Sequence, residues 1–89
     1  HFAPPDLETF RCLALAIAAA KEGGTAPAIL NGANEVAVAG FLEGKLGFLD
    51  IPRVVEAALN QVAREPLSLE AVHRADLLAR QAAQKAMDA

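Results

Sequence analysis

Eighty-nine residues make one small domain, with room for a single modest core. Hydrophobic residues reach 54% with only 4% aromatic, and alanine fills 21 positions; this composition favours closely packed helices and argues against a sandwich, a barrel or a disordered chain. Eight basic and eleven acidic residues, net charge −3, are scattered and offer no electrostatic footprint for nucleic acid and no polybasic patch for a membrane surface.

One cysteine, Cys12, excludes an internal disulfide and is compatible with a reducing, cytoplasmic setting. The longest apolar run, Cys12–Ala20, falls well short of the ~20 residues that a transmembrane helix needs. The opening His-Phe-Ala-Pro-Pro-Asp has no initiator Met and reads as a cut from a longer protein.

Residues 1–9 read as an incoming linker, because Pro4 and Pro5 stiffen an extended approach. The bundle domain is expected over residues 10–89. A first helix is expected over about 9–22, stopped by Gly23-Gly24. A second spans about 25–43, with Thr25 as N-cap and Pro27 in the first turn. Lys45–Phe48 is a connector. A third helix covers about 50–63, opened by Asp50 and Pro52, with Leu49 and Val54 at hydrophobic-staple positions. A fourth covers about 68–87, with Ser68 as N-cap and Glu70 against the positive helix end. Short loops imply a compact, all-α four-helix bundle with mostly antiparallel neighbours.

Helical periodicity sorts the faces. The third helix puts Ile51, Val54, Val55, Ala58 and Val62 on one stripe. The fourth gathers Val72, Ala75, Leu78, Ala79, Ala82, Ala83 and Ala86, beside a polar stripe of His73, Asp76, Arg80 and Gln84. In the second, Leu30, Ala33, Ala37 and Phe41 form a line that Val36, Val38 and Leu42 widen, so this helix is expected at the centre. Asn34 falls within that arc, Asn31 lies beside it and Glu35 at its border.

Asn31, Asn34 and Glu35 are neighbours at helical spacing and form the candidate site. Two readings stand side by side. The trio positions another domain, or it is a buried network that holds the bundle in register; a buried amide without partners would cost about 1–3 kcal/mol. Other candidates have ordinary explanations. Cys12 lies in an apolar run without an activating base. His73, with Asp76 three residues on, reads as a surface histidine. Asp76 and Arg80 have the favourable order for an i, i+4 ion pair. Gly23-Gly24-Thr25 precedes a helix but lacks the Lys and the strand of a phosphate loop. No catalytic, cofactor-binding or metal set can be assembled.

Several strings occur together in order: Phe2-Ala3-Pro4-Pro5-Asp6, Phe10-Arg11-Cys12-Leu13, Leu30-Asn31-Gly32-Ala33-Asn34-Glu35 with Phe41-Leu42, Phe48-Leu49-Asp50-Ile51, and Asp76-Leu77-Leu78-Ala79-Arg80. In this arrangement the chain resembles the C-terminal domain of the 1-deoxy-D-xylulose 5-phosphate reductoisomerases over essentially its whole length. It departs at Arg11, where the family pattern has proline, and at Gly32, where it has alanine. The resemblance implies a homodimeric parent that rearranges 1-deoxy-D-xylulose 5-phosphate and reduces the product with NADPH. That reaction uses Mg²⁺ or Mn²⁺ and gives 2-C-methyl-D-erythritol 4-phosphate for non-mevalonate isoprenoid biosynthesis. The family's metal and substrate motifs belong to a central catalytic domain, so no catalytic residue transfers to this chain. The expected role is a non-catalytic support for that domain. The alternative is a free-standing helical interaction module.

Overall fold

The computed structural model describes residues 7–88. Four helices follow one another: α1 (Leu7–Glu22), α2 (Ala26–Leu42), α3 (Ile51–Gln61) and α4 (Leu69–Asp88), with a 3-10 turn over Phe48–Asp50 ahead of α3. No strand occurs among the described residues. The expected linker over residues 1–9 lies outside the described residues as far as residue 6, and α1 begins at Leu7.

Each boundary has a local cause. Gly23 and Gly24 take φ of +75° and +56°, which reverses the chain between α1 and α2 at no Cβ cost. Pro27 sits in the first turn of α2 and Pro52 in the first turn of α3, where a missing N–H is harmless. Ser68 caps α4 through a hydrogen bond that its Oγ accepts from the Ala71 N–H at 3.1 Å. Residue 62 adopts extended backbone angles, so α3 stops at Gln61, two residues before its expected end.

Two expected caps are used differently. Thr25 precedes α2 but makes no side-chain cap. Its Oγ1 instead accepts from the Glu65 N–H at 3.0 Å, while its own N–H donates to the Glu65 carbonyl at 3.2 Å. Thr25 is fully buried, and this pairing satisfies it by stitching the α1–α2 turn to the α3–α4 loop. Asp50 makes no side-chain cap on α3; its Oδ2 accepts from the Gly47 N–H at 3.1 Å and so secures the 3-10 turn. Of the two staple positions, Val54 is buried whereas Leu49 is exposed.

The core lies between α2, α3 and α4. The expected α3 stripe of Ile51, Val54, Val55, Ala58 and Val62 is buried throughout. On α4, Ala75, Ala79, Ala82 and Ala83 are buried, Val72 and Ala86 are half-buried, and Leu78 falls on the exposed edge.

On α2 the buried line is Ile29, Ala33, Ala37 and Gly40. Phe41, Val38 and Leu42 are exposed. The expected centre of the apolar arc is therefore rotated, and the cause is steric. α2 and α4 approach so closely that a Cβ at Gly32 would lie 2.8 Å from Asp76 Oδ1. Only the Gly- and Ala-rich side of α2 fits against the Ala stripe of α4, and the larger side chains are turned away. α1 lies against α2 and α3. An Arg11–Glu56 ion pair links it to α3, and Glu22 at its end pairs with Arg64 of the α3–α4 loop.

Candidate functional site

The three candidate side chains lie on the outer side of α2, and all are exposed. The expectation of a buried polar network is corrected: rotation of α2 toward α4 carries the trio to the surface. The trio also divides. Asn31 Nδ2 donates to Glu35 Oε2 at 3.4 Å, a long bond. Arg80 of α4 donates through Nη2 to Glu35 Oε1 at 2.8 Å and through Nε to both carboxylate oxygens of Asp76, at 3.0 and 3.1 Å. One guanidinium thus bridges α2 and α4 through two carboxylates. The hydrogen bond to Asp76, followed by that to Glu35, holds Arg80 more firmly protonated than an isolated arginine. The expected Asp76–Arg80 pair is present. Its link across to Glu35 joins residues 45 apart, a separation at which intrahelical spacing says nothing.

Asn34 is elsewhere. It lines a hollow of about 270 Å³ with Cys12, Leu13 and Ala16 of α1, Leu30 of α2 and Val55 of α3. No hydrogen bond from a described residue engages its side chain. Asn34 therefore offers a free amide, able both to donate and to accept, at an otherwise apolar opening. Cys12 is half-buried in the same hollow. His73 is exposed and lines a separate hollow with Ala28, Asn31, Val72 and Asp76.

A second polar centre emerges that spacing alone did not single out. Arg74 grips Glu65 with Nε and Nη2 at 2.8 and 2.7 Å. The hydrogen bond from Arg74 lowers the Glu65 carboxyl below its ordinary 4.5. Arg64 reaches Glu22 at 2.9 and 3.3 Å and the Val62 carbonyl at 3.0 Å. These bonds tie the α3–α4 loop to the end of α1, around the buried Thr25. Arg64 and Glu22 are 42 residues apart in sequence, and the Arg74–Glu65 pair spans from loop to helix, so spacing within one helix does not reveal either.

The side chains present do not fit a divalent metal. Among the described residues, no group of three His, Cys, Asp or Glu could hold one. The carboxylates of Asp76 and Glu35 are already engaged by Arg80. No described helix is long and apolar enough to cross a membrane.

Comparison with known proteins gives a consistent result. The family model for the DXP reductoisomerase C-terminal domain matches residues 1–82. A 1-deoxy-D-xylulose 5-phosphate reductoisomerase of Cupriavidus metallidurans is 55% identical over 85 residues, covering 94% of this chain and 22% of that protein. One from Xanthomonas campestris pv. campestris is 52% identical over 87 residues, covering 97% of this chain and 22% of that protein. The solved structure of the reductoisomerase from Zymomonas mobilis in complex with NADPH superposes with a TM-score of 0.82 at 44% identity, covering 100% of this chain and 24% of that one. The chain therefore spans less than a quarter of the length of these relatives.

Proposed function

The chain belongs to the DXP reductoisomerase C-terminal domain family, and on that premise we propose that it is the helical support domain of such an enzyme. The parent converts 1-deoxy-D-xylulose 5-phosphate to 2-C-methyl-D-erythritol 4-phosphate with NADPH, as a cytoplasmic homodimer. The observation that carries the reading is the family match over residues 1–82, reinforced by relatives in which this stretch is 22% of the protein. NADPH and Mg²⁺ or Mn²⁺ belong, on this reading, to the remainder of the parent chain. The domain's own contribution is to hold the catalytic domain in its working arrangement. Asn34 is the positioning group on this side, through the amide it leaves free at the apolar hollow. Asn31 and Glu35 act within the bundle, fixing α2 against α4 through Arg80.

The test uses the full-length enzyme. Deleting residues 10–89 is expected to remove turnover. Asn34→Ala is expected to lower turnover per folded enzyme severalfold while shifting the melting temperature little, since it breaks no bond to a described residue. Unchanged turnover after the deletion would refute the support role. A lowered melting temperature with unchanged turnover would make Asn34 structural.

A further inference from the structure

The molecule is divided by charge. From residue 12 to residue 20 the exposed side of α1 carries no charged residue, and all of α2 carries one, Glu35. α3, α4 and their loop carry Arg53, Glu56, Arg64, Glu65, Arg74 and Arg80, each paired across the surface with an oppositely charged partner on another element or a neighbouring turn. On the charge-poor side, Phe10, Leu13 and Ile17 of α1 are 49%, 54% and 47% exposed. Their i, i+3, i+7 spacing aligns them on one helix face. Val38 and Phe41 of α2 are also exposed, and the Phe41 ring meets Phe48 edge-on at 5.8 Å. Asn34 precedes Val38 by one turn and Phe41 by two. The hollow between Leu13 and Asn34 joins the two helix faces into one apolar surface with one unpaired amide near its middle.

From this arrangement we infer that the α1–α2 face, centred on Leu13, Asn34 and Phe41, is the surface that docks against the upstream part of the same reductoisomerase chain. The inference rests on the support-domain reading and assigns its contact face. One observation and two physical arguments favour that occupant. In the relatives, this stretch is accompanied by more than three-quarters of a longer chain. A tethered partner needs no large interface, because the tether supplies the effective concentration. A free-standing surface of this kind would be an association liability. The partner patch is uncharged and apolar, with one hydrogen-bonding group, backbone or side chain, opposite the Asn34 amide. The α3–α4 side, studded with paired charges, faces solvent.

The test is site-specific photo-cross-linking in the full-length enzyme. Benzoylphenylalanine replaces Phe10 or Phe41, changes that keep an aromatic ring at each site, and Leu77 on the outer face of α4 serves as control. Cross-links from positions 10 and 41 should run to residues upstream of the domain in the same chain, in at least fivefold excess over position 77. Isotopically light and heavy chains are mixed to separate contacts within a chain from those between copies. Cross-links that require a second copy, that capture a different protein, or that do not exceed the control overturn the assignment. In parallel, Leu13→Glu should speed proteolytic release of the domain from the enzyme by about tenfold or more, the loss expected on exposing one docked leucine; Leu77→Glu should change it less than twofold. Equal effects of the two substitutions also overturn the assignment. If deletion of residues 10–89 abolishes turnover but positions 10 and 41 behave like 77, the support role stands and only the face is wrong. If the deletion has no effect on turnover, the support role itself fails.

Discussion

At the scale of single residues, small side chains decide most of what is distinctive. Gly23 and Gly24 form the same turn, yet they are constrained differently. A Cβ on Gly23 would meet nothing within 4 Å, whereas one on Gly24 would lie 2.8 Å from the Glu65 carbonyl oxygen, the atom that accepts the Thr25 N–H. Gly23→Ala pays the left-handed backbone penalty alone, about 1–2 kcal/mol. Gly24→Ala pays it and also displaces a backbone hydrogen-bond partner, so it should be the more destabilising of the two by urea titration. Gly32 answers a different question. A Cβ there would lie 2.8 Å from Asp76 Oδ1, so the missing methyl leaves room for the Asp76 carboxylate beside Arg80. Arg11 is used in the ion pair with Glu56.

At the scale of elements, the loops are held by charge and the helices by shape. The α3–α4 loop relies on Arg74 and Glu65. Because the folded Glu65 carboxyl is lowered below 4.5 by its hydrogen bond from Arg74, its contribution is fully present above that value and is lost as pH falls through the lower folded value. Wild type should therefore exceed Glu65→Gln in stability near pH 7. The gap should close below about pH 4.5, as followed by urea midpoints across that range. Salt should narrow the same gap at neutral pH, since the pair is at the surface. α2 and α4 are joined by one such pair at the surface, Arg80 with Glu35, but their buried contact is made by shape. Their junction is Ala against Ala and Gly, and close packing there is what turned Phe41 and Val38 outward.

At the scale of the whole molecule, the Cα envelope measures 45 × 28 × 17 Å. Its least dimension admits little more than two layers of helices about 10 Å across. Such a slab cannot enclose every apolar side chain on both helices of its α1–α2 side, which is why so much of that surface stays uncovered. Among the described residues no metal donor set occurs on it. The isolated domain should accordingly show no micromolar binding of NADPH, Mg²⁺ or Mn²⁺ by calorimetric titration. Binding in that range would move part of the cofactor site into this domain.

Much of this was legible in the sequence, because it depends on local rules. Helix identity follows from alanine content and periodicity, the turns from Gly23-Gly24 and Pro52, the α4 cap from Ser68, and the α3 core stripe from spacing alone. Family membership was legible in the Leu30–Glu35 string. The tertiary structure decided what depends on a neighbour. It set which side of α2 is buried, because that hangs on the fit of Gly32 and Gly40 against α4. It separated Asn34 from Asn31 and Glu35, because Arg80 reaches Glu35 from another helix. It also gave Thr25 and Asp50 partners other than the helix ends they precede. Spacing along a chain fixes which side chains share a face, but only packing fixes which face meets the core and which is left open.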